Sequence, residues 1–377
     1  MKVALVLDDS IDRPDGVQQY VRSLGSYLTS VGHEVHYLCS ASESTDPFVH
    51  ALSRTASVKF NGNGLTTPLP ASRKVIRSLL EREMFDVIHV QTPHSPFLAG
   101  RVVEEARKLQ ARSVRIVATF LILPHSRFSA LSTRALGKVL AKNLRKFDVI
   151  SAVTEPAAEF AKASFGITDV PVIPIGVDVA AFQAAVHTPR PARAAGDTLV
   201  VAFLGRLVER KGVLELLEAV ALLPGEILDR LDVRIGGRGP LMEDAENAVA
   251  QHGLRDVVSF EGFVSEEDKP QFMADADIAV FPALGGESFG IVLIEAMAAG
   301  SGVVLAGANP GYLSVIGDRA EVSVDARDTE AFASLLERLV EDSALRDEIH
   351  AEQQALVLEF DVNVVGERVL RELYGPN

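Results

Sequence analysis

Residues 278–300 read IAVFPALGGESFGIVLIEAMAAG, and this pattern decides the fold. Ile278 to Phe281 form a continuous apolar run that Pro282 stops, which is typical of a buried parallel strand. Two glycines then permit a turn, and residues 289–299 are good helix formers, with Ser288 as the predicted N-cap. A strand, a glycine turn and a helix together direct backbone N–H groups at one edge of the sheet. The predicted ligand at that edge is an anion, above all a phosphate.

Two carboxylates lie on either side of this turn. Glu287 is in the loop, and Glu295 follows about two helical turns later, roughly 10 Å further along at 1.5 Å per residue. Because of this separation, Glu287 is expected to face the distal part of a ligand and Glu295 the part beside the helix. The alternative interpretation is that both glutamates are solvated surface residues. Their position around a glycine turn that follows a buried strand favours the functional interpretation.

The stretch resembles the E-x7-E donor motif of the retaining GT-B glycosyltransferases, a family that includes sucrose synthases and phosphatidyl-myo-inositol mannosyltransferases. The wording LGGESFGIVLIEAMAAG is most similar to the latter branch. The resemblance implies an α/β fold of the GT-B type, with two doubly wound Rossmann-like domains facing each other across a cleft. It also implies a retaining, metal-independent hexosyltransferase that moves mannose from GDP-mannose to a lipid or glycan, with phosphatidylinositol as a candidate acceptor. Two alternatives remain open: a UDP-sugar-dependent enzyme with a different acceptor, and a catalytically weakened relative that only binds nucleotide sugars.

The composition supports a globular chain with two domains. The 377 residues are 47% apolar, enough for two sizeable cores. The net charge of −14 argues against nucleic acid as a partner. Residues 1–178 carry 21 Lys and Arg against 17 Asp and Glu, whereas the remainder carries 16 against 34. A mildly basic first half suits docking on an anionic membrane surface, although ordinary variation between domains explains the contrast equally well.

The single cysteine, Cys39, permits no disulfide within the chain, and the first ten residues hold too short an apolar run for a signal peptide. We therefore expect a cytoplasmic protein, peripheral on the inner face of the membrane if its acceptor is a lipid.

Alternating apolar runs and amphipathic segments predict β-α repetition in both halves of the chain. The repetition pauses at a Pro- and Ala-rich stretch that lacks periodicity. The predicted organisation is an N-terminal acceptor-side domain over residues 1–178, a linker over 179–197 and a donor domain over 198–358. The resemblance further implies a terminal helix over 359–377 that crosses back toward the N-terminal domain.

Two cations follow the first predicted strand of the donor domain. Arg206 offers a planar fork for phosphate oxygens, and Lys211 offers a compact charge five residues later. Together they can offset the charge that develops on a departing diphosphate. The resembled family has the same G-R-x4-K-G spacing, which implies that Glu287, Arg206 and Lys211 are the catalytic residues. Arg210 is interpreted as a solvated neighbour.

The resemblance also implies a set of donor-binding residues. The backbone at Val264 would read the base with Lys269 near it, and Glu295 would hold the ribose hydroxyls. The full predicted set is Gly16, Val264, Glu266, Lys269, Ser288, Phe289, Gly290, Ile291, Val292 and Glu295. The sequence contains no DxD-type or His-rich metal motif, so no metal and no cofactor beyond the nucleotide sugar is expected.

In the first domain, residues 12–18 read DRPDGVQ and join the first strand to the first helix. Gly16 allows close approach to a phosphate, and Asp12 and Gln18 are candidate acceptor-side residues. The family usually has a second glycine where this chain has Asp15, and a histidine near the reacting sugar where it has Leu121. His94 and His125 are candidate replacements that inherit no role from the motif.

The sequence indicates the acceptor less clearly than the donor. Membrane-associated relatives carry a strongly basic amphipathic helix in the first domain, and residues 71–82 are only weakly basic here. A lipid acceptor is favoured over a soluble glycan or small molecule. The predicted partners are therefore a nucleotide sugar and an anionic membrane surface contacted by the first domain.

Overall fold

The computed structural model describes residues 1–13, 15–53, 71–91, 93–109, 114–121, 123, 143–194 and 196–375, together with the backbone of 55–60 and 63–68. His125, one of the two candidate histidines, lies outside the described residues. Contacts divide the chain into two compact units, 1–176 with 362–377, and 177–361. Among the residues described, no helix combines the length and apolar character required to cross a bilayer.

The strands, in chain order, are β1 Lys2–Val6, β2 Glu34–Cys39, β3 Val49–Ala51, β4 Thr55–Phe60, β5 Asn63–Pro68, β6 Val87–Val90, β7 Arg115–Phe120, β8 Val149–Ala152, β9 Leu199–Leu204, β10 Leu231–Gly236, β11 Val258–Gly262, β12 Ile278–Phe281, β13 Val303–Gly307 and β14 Ser323–Val324. Each unit contains one parallel sheet of six strands, ordered β3-β2-β1-β6-β7-β8 in the first and β11-β10-β9-β12-β13-β14 in the second. These two sheets confirm the predicted α/β fold with two Rossmann-like domains.

Helices cover the sheet of each unit. The first unit has Gly16–Ser30, Arg73–Glu83, Leu98–Lys108, Glu155–Phe165 and Val362–Arg368, the last continued by a π-helical turn over Val369–Tyr374. The second unit has Val179–Ala185, Val213–Ala221, Gly225–Leu228, Met242–Gln251, Lys269–Ala274, Ile291–Ala299, Pro310–Ile316, Thr329–Glu341 and Ser343–Leu356, with 3₁₀ turns at Glu209–Lys211 and Val357–Phe360. The central strands read as apolar runs because helices bury both of their faces.

Both sheets have a topological switch point. The chain leaves β1 toward one edge and β6 toward the other, and β9 and β12 diverge in the same way in the second unit. Ligands of open α/β sheets bind at the carboxyl ends of strands beside such a point. A ligand is therefore expected at the loops after β9 and β12 and, in the first unit, at the loops after β1 and β6.

One predicted strand has a different partner from the one expected. The sequence pattern predicts a strand of the parallel sheet over residues 57–60, but β4 pairs antiparallel with β5 in a separate two-stranded sheet. The edge of the parallel sheet is instead the short strand β3. Three residues are too few for a sequence pattern to distinguish from a loop.

The stretch 179–197, predicted to be a linker, is tied to the second unit. Its helix Val179–Ala185 begins at Asp178, whose side chain accepts a hydrogen bond from the amide of Ala181 at 2.8 Å. Further along, Arg190 and Arg193 form ion pairs with the buried carboxylate of Asp277 at 3.2 and 3.0 Å. Asp277 is distant from Arg190 and Arg193 along the chain, so the sequence pattern does not reveal these ion pairs. The Pro- and Ala-rich composition therefore indicated a linker.

The terminal segment groups with the first unit, where Tyr374 is buried. Its hydroxyl lies 2.8 Å from His89 Nδ1, and His89 Nε2 lies 2.7 Å from Thr119 Oγ1. Since both ring nitrogens have neutral partners in a buried site, burial lowers the pKa of His89 to about 3.

Candidate functional site

In the second unit, the loops after β9, β10 and β12 pack against one another. A Cβ atom at Gly237, which has φ +131°, would lie 1.8 Å from the carbonyl oxygen of Gly205. The amide of Leu284 donates to the carbonyl of Arg210 at 2.9 Å. Only glycine permits the first of these approaches, so the Gly-rich turn after β10 supports the loop that carries the predicted cations.

The helix after β12 begins at Ile291, two residues later than predicted. Its N-cap is Gly290 with φ +117° and ψ +51°, and no side chain caps it. Ser288 is therefore not the N-cap, and that prediction was wrong. The turn at Gly290 is fixed by the buried Tyr312 ring, which a Cβ atom would approach to 2.6 Å. Ile291 and Val292 are partly exposed at the uncapped first turn.

Glu287 forms the central contact of this site. Its Oε1 lies 2.9 Å from Lys211 Nζ and also pairs with Arg210 Nη1. Burial alone would raise the pKa of Glu287, but the nearby charges of Lys211 and Arg210 outweigh it and lower that pKa. Burial lowers the pKa of Lys211 in spite of Glu287. Arg210, interpreted from the sequence as a solvated neighbour, is thus part of the site.

The first turn of the helix Pro310–Ile316 packs against the backbone of Glu287. A Cβ atom at Gly311 would lie 2.0 Å from the Glu287 carbonyl oxygen. Burial first, and the charge of Glu287 second, hold the pKa of Tyr312 well above its ordinary value. No sequence signal marked Tyr312, since it follows a different strand, β13.

Two arginines at the same edge of the sheet are exposed. Arg206 follows β9 and Arg238 follows β10, and within the described ranges neither guanidinium forms an ion pair. Glu287 is thus held by Lys211 and Arg210, whereas Arg206 and Arg238 are the cations left to meet an anion. The sequence predicted Arg206 as a phosphate ligand, and it predicted the turn of residues 236–240, GGRGP, only as a loop lining the nucleotide side, with no separate role for Arg238.

Glu295 and Lys269 form a buried ion pair in the second unit. Lys269 Nζ lies 2.7 Å from Glu295 Oε1, 2.7 Å from Glu266 Oε2 and 5.7 Å from the centre of the Phe182 ring. Burial would lower the pKa of Lys269, but Glu295 and Glu266 outweigh it and raise that pKa. Burial raises the pKa of Glu295, which Lys269 offsets only in part. Three predicted donor residues therefore meet, with Glu295 bonded to a lysine.

Two further predicted donor-binding residues, Phe289 and Val264, differ in their exposure to solvent. Phe289 is buried and its ring packs edge-on against Phe360 at 5.9 Å, so its side chain belongs to the core. Val264 is partly exposed beside Gly236. Phe263, next to it, is 58% exposed, and this apolar ring at the edge was not predicted from the sequence.

In the first unit, the loop after β1 is held by its own polar residues. Asp12 accepts hydrogen bonds from the Glu43 amide and from Ser42 Oγ, both at 2.8 Å. Gln18 is buried and donates to the Ser10 carbonyl at 3.0 Å. The helix begins at Gly16, within the stretch 12–18 that was predicted to join the strand to the helix, and no side chain caps it. Asp12 and Gln18 therefore shape this loop.

The loop after β6 contains buried polar atoms that lack partners. Gln91 is fully buried, and neither its amide nitrogen nor its amide oxygen has a hydrogen-bond partner in the described part of the chain. His94 Nδ1 is likewise unpaired, its ring lies near Phe120 and Phe165, and burial lowers its pKa to about 4. Such groups mark a place where a ligand or water is expected. Gln91 carried no sequence signal.

Leu121 follows β7 and is buried. The position at which the resembled family has a histidine is therefore occupied by an apolar side chain in the core. It cannot donate or accept a proton.

Two family models match the chain. Residues 14–181 match Glycosyltransferase Family 4, and residues 188–355 match Glycosyl transferases group 1. The phosphatidyl-myo-inositol mannosyltransferase of Mycolicibacterium smegmatis is 33% identical over 98% of this chain and 93% of the relative. The protein of the same name from Mycobacterium tuberculosis is 32% identical over 98% and 96%.

Solved structures resemble this one along its whole length. Anabaena HepE in complex with UDP has a TM-score of 0.73 at 18% identity, covering 99% of both chains. A glycosyltransferase from Rickettsia africae has a TM-score of 0.73 at 17% identity, covering 99% of this chain and 97% of that one. At such identities the likeness concerns the fold, and it confirms the GT-B class.

Proposed function

Because this chain belongs to the glycosyltransferases that combine a family 4 domain with a group 1 domain, we propose that it transfers mannose from GDP-mannose to a phosphatidylinositol-like lipid. We further propose that the transfer retains the anomeric configuration and needs no metal. Relatives covering almost the whole chain, named phosphatidyl-myo-inositol mannosyltransferases, support the sugar and the acceptor.

The observation that carries this proposal is the arrangement around Glu287. The carboxylate is held by Lys211 and Arg210 at the carboxyl edge of the second sheet, beside the unpaired Arg206. A nucleotide-diphosphate sugar requires positive charge at the diphosphate and an acceptor of hydrogen bonds at the sugar hydroxyls. The cations meet the first requirement and Glu287 the second. The uncapped helix N-terminus at Ile291 adds N–H donors for a phosphate.

The proposed reaction follows from these roles. The bond between the anomeric carbon and the diphosphate oxygen breaks, and its electron pair remains on the GDP phosphate. The acceptor hydroxyl attacks the same face and gives its proton to a phosphate oxygen. Arg206 and Lys211 stabilise the charge on the departing diphosphate, so we propose that they supply what a metal supplies in other transferases.

A second candidate is transfer from a UDP-sugar. It is favoured by the complex of Anabaena HepE with UDP, a structure of the same fold. Val264 and the exposed Phe263 lie in the loop that we propose to contact the base. Both candidates use the same cations, and they differ in the base that this loop accepts and in the acceptor.

A third candidate is a weakened relative that binds donor without efficient transfer. The buried Leu121, where the resembled family has a histidine, favours it. It predicts nucleotide binding without turnover.

For the acceptor, we propose the first unit and its unpaired groups at Gln91 and His94. Its net positive charge supports contact with an anionic membrane. The helix Arg73–Glu83 contributes less charge than its sequence indicates, because Arg73 and Arg77 pair with the buried Glu105 at 3.0 and 2.6 Å.

The first experiment is a thermal-shift panel in EDTA with GDP, UDP, ADP and their sugar conjugates. A ligand at a hundredfold excess over its Kd stabilises the native state by about 2.7 kcal/mol, so the true donor base should stand out. A selective response to GDP supports GDP-mannose as the donor. A selective response to UDP supports a UDP-sugar instead, and no response to any nucleotide refutes both donors.

Turnover is then measured with the selected donor and vesicles containing phosphatidylinositol, still in EDTA. The product's anomeric configuration, read by NMR, decides whether the reaction is retaining. Binding without transfer or donor hydrolysis would favour the weakened relative. Activity that requires a divalent cation would refute metal independence.

A further inference from the structure

Three potential metal ligands meet at one side of the first unit, away from the loops after β1 and β6. His36 lies on β2, His50 lies on β3, and Glu83 ends the helix Arg73–Glu83. Their ligand atoms all lie within 4.8 Å of one another, and His36 Nδ1 lies 2.8 Å from His50 Nε2. The parallel pairing of β2 with β3 brings the two histidines together.

The orientation of His36 matches that of a metal ligand. Its Nε2 lies 2.9 Å from Glu34 Oε1, and since a carboxylate accepts, Nε2 carries the proton. The lone pair of Nδ1 therefore points at His50. Metal-bound histidines commonly donate their other N–H to a carboxylate in this way, which fixes the tautomer and the ring. The edges of Phe48 and Phe85 also hold the ring, at 5.0 and 5.1 Å.

We propose that His36 Nδ1, His50 Nε2 and the Glu83 carboxylate bind one divalent d-block cation, with Zn²⁺ as the best fit. Two imidazoles and one carboxylate form a ligand set that zinc uses in proteins, with water in the remaining position. Zn–N distances of about 2.0–2.1 Å at a tetrahedral angle place the nitrogens roughly 3.3 Å apart, so the rings need to separate by about half an ångström. His50 and Glu83 are only partly buried, which gives the ion a path from solvent.

The bound ion would act as a structural cross-link. It would join two strands and one helix at the edge of the parallel sheet, and it would take no part in sugar transfer. The sequence shows no His-rich motif because the three ligands are separated along the chain and become neighbours only in the folded structure.

Lys2 competes with the metal for the Glu83 carboxylate. Its Nζ lies 2.6 Å from Glu83 Oε2 and 2.9 Å from Glu34 Oε1. Metal binding must displace this ammonium from Glu83, and the partly exposed lysine can turn into solvent. Arg82 Nε binds the other oxygen of Glu83 at 2.8 Å, but this side chain is exposed and can turn away. Replacing Lys2 by methionine keeps the length of the side chain and removes the less exposed of the two competing charges. Lys2→Met should therefore bind zinc more tightly than the parent chain.

The test uses untagged full-length protein, stripped with a chelator and titrated with Zn²⁺ by calorimetry. We expect one Zn²⁺ per chain, at least tenfold weaker binding in His50→Gln and Glu83→Gln, and several-fold tighter binding in Lys2→Met. His252→Gln, the same change at an exposed histidine of the second unit, should bind like the parent. Co²⁺ should give visible d–d absorption that His50→Gln loses.

Equal Zn²⁺ affinity in the parent and in His50→Gln, or absence of binding by the parent, would overturn the proposal. Melting curves recorded in EDTA establish that each variant is folded before the titration. The thermal response to GDP or UDP should be the same in His50→Gln and the parent, so the metal proposal and the proposed transferase activity fail independently.

Discussion

The two switch points have the same topology but different chemistry. After β9 and β12, the second unit carries charged side chains, and Glu287 forms ion pairs with both Lys211 and Arg210. After β6, the first unit carries neutral polar groups, and Gln91 and the Nδ1 atom of His94 have no partner within the described structure. An unpaired buried charge costs far more than an unpaired buried amide. A charged site must therefore supply its own counter-ions while it is empty, whereas a neutral site can remain unsatisfied until a ligand arrives.

The largest effect is expected for Glu287→Gln, which removes the central charge of the second switch point. Transfer activity should fall about 100- to 1,000-fold, the range for loss of one preorganised group in an active site. Binding of the nucleotide diphosphate should become tighter, because Lys211 and Arg210 lose their counter-ion. Turnover assays and thermal shifts with the nucleotide measure the two effects. Equal weakening of nucleotide binding would show that Glu287 is only a structural support.

The next largest effect is expected on acidification, which should destabilise the first unit more than the second. Burial lowers the pKa of His89 to about 3 and of His94 to about 4, below the ordinary value of 6.5. A lowered pKa gives stability that is complete above pH 6.5 and is lost as the pH falls toward the folded-state values, here a few kcal/mol in total. The lowered pKa of Glu287 affects the second unit only below about 4.5.

Scanning calorimetry between pH 7 and pH 5 tests this difference. The transition that the donor nucleotide does not shift should belong to the first unit, and its midpoint should fall over this range. The nucleotide-shifted transition should stay nearly constant. A parallel decline of both transitions would contradict the assignment of the acid sensitivity to His89 and His94.

A smaller effect is expected for Arg206→Ala. Its guanidinium is exposed and lacks an ion pair among the described residues, so removing it should leave the melting temperature unchanged. Donor affinity should fall about tenfold, since a charge-assisted hydrogen bond contributes about 1.5–3 kcal/mol. Arg255→Ala, a change at an exposed arginine elsewhere in the second unit, is the matched control. Unchanged donor affinity in Arg206→Ala would remove Arg206 from the site.

The smallest effect is expected for Gln91→Leu in the first unit. The change removes two unpaired buried atoms and should raise stability by about 1 kcal/mol. Gln18→Leu is the contrasting variant, because it breaks the hydrogen bond to the Ser10 carbonyl and should destabilise the same unit. Acceptor KM should rise in Gln91→Leu while the nucleotide response stays constant. Destabilisation by Gln91→Leu would show that the amide has a partner in solution.

Several features of this protein were determined by the sequence alone. Residues 278–300 predicted a buried strand, a glycine turn and a helix, and β12 and the helix Ile291–Ala299 follow that pattern. The G-R-x4-K-G spacing predicted cations after β9, and Lys211 contacts Glu287. These predictions succeeded because apolar runs, glycines and the ends of parallel strands are local or topological properties.

The tertiary structure decided which side chains meet. Gly290 replaces Ser288 as the N-cap because the Tyr312 ring, from the helix Pro310–Ile316, fixes the turn. Arg210 joins the site, although the sequence could not rank it against Arg206. Within the described part of the chain the buried amide of Gln91 has no hydrogen-bond partner, and no spacing along the chain records this. Patterns in the sequence fix where the backbone is buried, whereas the partner of each polar group depends on distances between segments that only the folded chain brings together.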